Sequence, residues 1–249
     1  FWMIAVLATL GIVLTLWVVP DSQHHVRNRE SGMVKDCFRM VIANPKLLKL
    51  NFGIMCLHIL LMSTFVALPG QLESAGFPAS EHWKIYLITM LISFASVVPF
   101  IIYAEVKRRM KRVFLFCVAV LLIAEIVLWG AGPHFWEIVI GVQLFFLAFN
   151  LMEALLPSLI SKEAPAGYKG TAMGIYSTSQ FLGVAIGGAL GGWVDGLFDS
   201  QTVFLVGALL AAVWLLVAGT MQEPPYVSSL RIAIPDDVAI DDALQQRLQ

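Results

Sequence analysis

Two stretches of this sequence place amide, sulfur and titratable side chains on one side of otherwise apolar runs. Asn51, Met55, His58 and Met62 follow one another at spacings of four, three and four; Gln143, Phe146, Asn150 and Glu153 follow at three, four and three. Such spacings gather each set onto one side of an α-helix. His58 lies midway between Lys46 and Pro69. An unperturbed imidazole titrates near pH ~6.5, so this side chain reads either as a proton carrier or as a neutral histidine bonded to a neighbouring helix. Glu153 sits about eight residues from the end of its run, roughly 12 Å at helical rise. A charged carboxylate is costly at such depth in lipid. It reads as a proton carrier or a site for a cationic ligand, with a bracing carboxyl as the alternative. Gln143 and Asn150 offer orienting hydrogen bonds and Phe146 offers apolar area, a mixture that suits a mostly apolar ligand pocket. Tyr176 and Gln180 share a face of a third run and complete the expected solute-binding set. Tyr86, Ser93 and Ser96 rank lower, because serines often bond to their own helix. Glu125 lies nearer the other end of its run and is expected to reach the interface.

The runs that must position these groups are seven apolar stretches, roughly 1–19, 47–69, 83–104, 113–130, 135–160, 171–194 and 201–221. Each is long enough to cross a hydrocarbon core of ~30 Å as a helix. A helix satisfies its own backbone hydrogen bonds there, as lipid requires. Of the 16 lysines and arginines, all except Lys84 fall on, or at the edge of, alternate connections. Basic residues are retained on the cytoplasmic side. The connections carrying Arg27 to Lys46, Lys107 to Arg112, and Lys162 with Lys169 are therefore expected inside, with the C-terminal segment. Connections 70–82, 131–134 and 195–200 are expected outside. A composition of 59% hydrophobic and 13% charged residues, with mean hydropathy +0.81, excludes an ordinary soluble domain.

Residues 20–46 form a connecting segment, in which Met33, Val34, Cys37, Phe38, Val41 and Ile42 recur at helical spacing. An interfacial helix suits that pattern, and so does a solvated linker with a short helix. Cys37, Cys56 and Cys117 lack paired spacing and are expected as free thiols. His24-His25 lacks further ligands, so no metal site and no cofactor are expected. Residues 222–249 change character: Leu230 to Ile234 alternates like a strand, Pro235-Asp236-Asp237 is a turn, and Ile240 to Leu248 reads as a helix. They look like the start of a soluble module. The chain opens inside an apolar run and has an odd number of spans, which reads as a fragment. No phosphate-cradling loop, nucleophile elbow or zinc-spaced histidine set is present. The basic turn 107–112 is too short for nucleic acid, and its natural partners are anionic lipid headgroups.

Residues 171–194 carry Gly183, Gly187 and Gly191 at intervals of four, and Gly188, Gly192 and Gly196 repeat likewise. Small residues at that spacing let helix backbones approach in lipid, for tight packing or for a moving interface. Together with the basic turn Glu105 to Arg112, the run Asn150, Glu153, Pro157, and the stretch Tyr168 to Gly174, these residues resemble the C-terminal half of a major facilitator superfamily transporter. The drug:proton antiporter branch is most similar. The resemblance implies an all-α membrane protein of the bacterial inner membrane, multi-pass, with a cytoplasmic C-terminus. It assigns 1–19 to the sixth of twelve helices, 20–46 to the linker between halves and 47–221 to the C-terminal six-helix bundle. The tail 222–249 resembles the opening of a soluble module that one bacterial member carries after its last span. The implied activity is export of amphipathic small molecules driven by protons, by rocking against an N-terminal six-helix bundle. A sugar or metabolite importer or uniporter is the alternative within this architecture. A membrane-anchored enzyme or scaffold is the alternative outside it, and catalytic spacing is missing for that. The family's gating turn has an acid followed by basic-x-Gly-basic-basic. Glu105 stands for the acid and Arg109, Lys111 and Arg112 for the bases, but no glycine lies between them. These charges read as gating or as topology-setting, and the missing glycine favours the second.

Overall fold

The computed structural model describes residues 1–18, 35–165 and 168–223. The expected strand-turn-helix tail, the His24-His25 pair, most of the linker and the Cys37 side chain lie outside the described residues. Every apolar stretch is a helix: α1 (Trp2–Trp17), α3 (Pro45–Ser74), α4 (His82–Val106), α5 (Met110–Ala131), α6 (Phe135–Glu163), α7 (Lys169–Leu197) and α8 (Ser200–Gly219). A short helix, α2 (Lys35–Ala43), precedes α3, and a 3-10 turn (Ala79–Glu81) leads into α4. Five helices combine the length and hydropathy needed to cross a membrane: α3, α5, α6, α8 and α4 with its leading turn. The expectation of seven comparable spans is thus refined. With 29 residues α7 is long enough, but its glycines and polar residues dilute its hydropathy, and α1 has only 16 residues, none of them buried. Helix α2 packs on α3 and α7, burying Val41 while Phe38 and Ile42 stay exposed.

Local chemistry fixes the helix ends. Asn44 caps α3, its side chain accepting from the Lys46 amide at 3.0 Å, and Pro45 opens the first turn, where no backbone donor is needed. Asp199 caps α8, accepting at 2.7 Å from both the amide and the hydroxyl of Thr202. These bonds hold the Asp199 carboxyl below the usual carboxylate range. A depressed native pKa stabilises the fold above the unfolded pKa, and that stability is lost as pH falls through the native value. Asp199→Ala is therefore expected to cost about 1 kcal/mol near neutral pH. Thermal unfolding should show the gap between variant and parent closing in acid, below the ordinary carboxylate range.

Helix α4 ends in a paired hydrogen-bond motif: the Arg108 amide donates to Glu105 O at 3.2 Å and the Arg109 amide to Ala104 O at 3.0 Å. That motif puts the residue after the cap into the left-handed region, usually as glycine. Here it is Arg108, at φ +52°. The turn therefore adopts the shape that glycine would give, without the glycine. A non-glycine residue in that region costs roughly 1–2 kcal/mol. Arg108→Gly is expected to raise stability by about 1 kcal/mol, read as a rise in the melting temperature.

Packing sorts the two glycine series. A Cβ on Gly183, Gly187 or Gly191 would lie 2.4 Å from Met55 O, 2.6 Å from Ile59 O or 2.8 Å from Ser63 Cα. The α7 seam thus lies directly on the α3 backbone, as close approach in lipid demands. Gly188, Gly192 and Gly196 would meet nothing within 4 Å and form no seam among the described residues. Lower in the bundle, Trp214 of α8 is fully buried beneath Gly53 and edge-on to Phe114 at 6.1 Å. Cys56 and Cys117 are buried free thiols.

Ion pairs show which ends lie together. Lys162 Nζ is 2.7 Å from Glu105, Lys46 Nζ is 3.4 Å from Glu163, and Lys49 Nζ donates to Thr220 O at 3.1 Å. The basic turn, the starts of α3 and α5, and the ends of α6 and α8 therefore share one end of the bundle. Asp199, Gly132 and Gly70 share the other, where Ser200 and Gln201 meet them.

Candidate functional site

The side chains with chemistry meet where α3, α6 and α7 converge. His58 is 5% exposed. Its Nδ1 lies 3.1 Å from Ile54 O, one turn back on its own helix, and a carbonyl only accepts, so Nδ1 carries the proton of the neutral ring. Nε2 then presents a lone pair, and the Gln180 amide nitrogen donates to it at 2.9 Å. The carboxylate Oε1 of Glu153 lies 3.5 Å from the same Nε2. That oxygen is buried and has no hydrogen-bond partner among the described residues. The ring of Phe149 meets His58 edge-on at 5.8 Å and closes one side. Tyr176 is 4% exposed, its hydroxyl has no partner among the described residues, and it lies within electrostatic reach of Glu153.

This arrangement has two proton positions. With His58 neutral, Gln180 occupies Nε2 and Glu153 has no donor. A proton on Nε2 makes it a donor, displaces the Gln180 amide hydrogen and gives Glu153 Oε1 a partner on the same nitrogen. The histidine and the carboxyl are therefore coupled through one atom.

The remaining expected residues lie around this cluster. Asn51 and Met55 line an open cavity of about 390 Å³ with Phe52 and Ser179, toward the basic end. Met62 is half-buried one turn beyond His58. Gln143 and Asn150 turn away, donating to Ser93 Oγ at 2.9 Å and toward Met90 Sδ at 3.6 Å, and tie α6 to α4. Phe146 is core, packed on Phe65 and Phe145 at 6.0 Å from each. Of the gating set, Glu105 pairs with Lys162, Arg109 donates to the Tyr103 hydroxyl at 3.3 Å, and Lys111 and Arg112 line separate cavities. Sequence reasoning passed over Phe149, although it adjoins Asn150. The expectation for Glu125 is corrected. It is 1% exposed and accepts from the Thr64 hydroxyl at 3.0 Å, and a Cβ on Gly207 would lie 2.5 Å from its carboxylate. Gly207 leaves room for a buried carboxyl between α3, α5 and α8, so it does not reach the interface.

The family model described as Major Facilitator Superfamily matches residues 1–187 and 106–236. The chain belongs to the major facilitator superfamily. Among curated relatives of this superfamily chain, the Inner membrane transport protein YajR of Escherichia coli K12 is 76% identical over 248 residues, covering 100% of this chain and 55% of that protein. An uncharacterized transporter of Buchnera aphidicola, BU466, is 34% identical over 189 residues, 75% of this chain and 48% of that protein. A probable sugar efflux transporter of Helicobacter acinonychis is 27% identical over 149 residues, 59% and 37% respectively. The chain spans about half the length of the first two of these relatives and over a third of the last. It is a helical, multi-pass part of a major facilitator transporter, like the inner-membrane protein it matches.

Proposed function

We propose that this half belongs to a proton-coupled exporter of amphipathic small molecules, with His58 and Glu153 as its proton-exchanging pair. The observation that carries the reading is the shared Nε2: Gln180 at 2.9 Å and Glu153 at 3.5 Å on one buried imidazole, held from three helices. A buried ionisable group in a span marks a pathway or a relay. A proton arriving from the acidic side binds the pair. Solute binds beside the pair rather than on the carboxyl, and proton and solute alternate through the cycle. Phe149, Met55, Met62 and Tyr176 supply the apolar and aromatic surroundings that favour amphipathic solutes.

Alternating access requires a second bundle to rock against. The N-terminal half is the proposed partner, and exposed apolar rows fit it: Leu87, Leu91, Phe94 and Val98 on α4, with Phe181 and Trp193 on α7. The basic end gathers Lys46, Lys107, Lys111 and Lys162, so the positive-inside bias supports placing it, and the C-terminus, in the cytoplasm. Sugar efflux is the second reading, favoured by the name of the Helicobacter relative.

The test is the complete transporter in proteoliposomes, assayed with a lipophilic dye and with a radiolabelled sugar, with and without a pH gradient. Dye movement that tracks the gradient is the expected result. Sugar movement without dye movement selects the second reading. Gradient-independent flux of either solute removes the proton-coupled reading.

A further inference from the structure

A cavity of about 160 Å³ opens at the basic end between the starts of α3 and α5 and the ends of α6 and α8. One water occupies about 30 Å³ in the liquid, so this space admits a group much larger than water. Lys46, Lys49 and Lys111 line it, over an apolar floor of Leu50, Phe114 and Leu159. Two of the three ammonium groups are held in place. Lys46 lies 3.4 Å from Glu163, whose side chain is 9% exposed, and Lys49 donates to Thr220 O at 3.1 Å. Lys111 has no ion pair among the described residues. Three lysines against one glutamate leave the lining with a net charge of two positive. The starts of α3 and α5 add the positive ends of two helix dipoles, and α5 begins without a side-chain cap.

We infer that this cavity holds the phosphate of an anionic phospholipid from the leaflet that the basic end faces. The charge calls for an anion, and the floor of Leu50, Phe114 and Leu159 calls for one attached to apolar matter. A fully hydrated ion gains nothing from that floor. The route into the cavity is apolar as well: Leu209, Val213 and Leu216 form an exposed row along α8 that leads to Thr220 at the rim. Basic pockets between helices at the cytoplasmic boundary suit acidic headgroups in this way. Each element that frames the cavity contributes: α3 two lysines, α5 one, α6 the orienting carboxylate, and α8 the carbonyl that orients Lys49. A bound lipid would therefore join four helices at one end of the bundle. The inference is independent of which solute the transporter moves.

The test uses the complete, purified transporter, delipidated and then offered phosphatidylglycerol or phosphatidylcholine, with bound lipid counted by native mass spectrometry. The parent is expected to retain one phosphatidylglycerol per transporter in preference to phosphatidylcholine. Lys49→Gln and Lys111→Gln should each weaken that binding about fivefold. Lys49→Arg with Lys111→Arg should keep it within about twofold, since the positive charge is preserved and either basic side chain serves an acidic headgroup; this pair also decides the matter if a glutamine variant does not fold. Lys107→Gln with Lys169→Gln, outside the cavity, should leave it unchanged. Three results would overturn the inference: unchanged binding in Lys49→Gln and Lys111→Gln, equal loss in the Lys107 and Lys169 pair, or displacement of the lipid by millimolar inorganic phosphate. The last would mark a site for soluble anions.

Discussion

Glu153→Gln in the complete transporter is expected to lower gradient-driven export at least about tenfold, within the range typical of a coupling free energy between two ligands. Solute exchange without a gradient should survive. Glutamine preserves the volume and the hydrogen-bonding capacity of the side chain but exchanges no proton at physiological pH. If His58 and Glu153 form one unit through Nε2, then His58→Gln should produce a similar loss, and the double variant should be little worse than either single one. The pairing predicts that non-additivity, because removing either proton position disables both. Two other roles for the carboxyl give different results. A site for cationic solutes loses exchange along with coupling, and does so selectively for charged solutes. A purely bracing carboxyl loses neither in Glu153→Gln, while the melting temperature falls. Unchanged coupling with normal exchange would remove Glu153 from the relay.

Gly187→Val is expected to destroy the bundle rather than tune it. The new Cβ alone would fall 2.6 Å from Ile59 O and 2.7 Å from Ile59 Cα, and these are backbone atoms that no rotamer change can move. Helices α3 and α7 would have to separate along the seam that includes Gly183 and Gly191, and the contacts of His58 with Gln180 would go with it. Overpacking of this kind costs typically 1–3 kcal/mol where the neighbour can shift, and rigid backbone places this site at the upper end or beyond. The variant should give little folded protein in detergent, measured by size-exclusion chromatography of a fluorescent fusion. A Cβ on Gly188 of the same helix would meet nothing within 4 Å, so Gly188→Val serves as the control. Within this half alone it should leave folding intact. Equal losses at Gly187 and Gly188 would show that close approach to α3 does not set the tolerance of α7.

These two cases also show how far the sequence carries. The helices were legible because apolar runs of membrane length have few alternatives. The faces were legible only in part. Gln143 and Asn150 lie within about 20° of each other around α6, and so do Phe146 and Glu153, but the centres of the two pairs sit roughly 60° apart. Spacing groups all four on one side, whereas packing divides them: the first pair turns to α4, and Glu153 turns to α3 and α7. Likewise, both glycine series have the same period, and only their phase decides which one meets α3. The buried position of Glu125 depends on Gly207, some eighty residues away on α8, and no local pattern announces it. Arg108 shows that the left-handed turn glycine usually supplies can form without one, held by the hydrogen bonds that end α4.

The dilute hydropathy of α7 has a consequence for biogenesis. Its glycines let it lie against α3, and the same glycines make it the poorest candidate among the long helices for partitioning into lipid unaided. Its partner is synthesised early and α7 late, with three membrane-length helices between them. The carbonyls of Met55 and Ile59 therefore face lipid or other helices until α7 arrives. Insertion of α7 and its docking on α3 become a single event, and that step is also the one that brings Gln180 to His58.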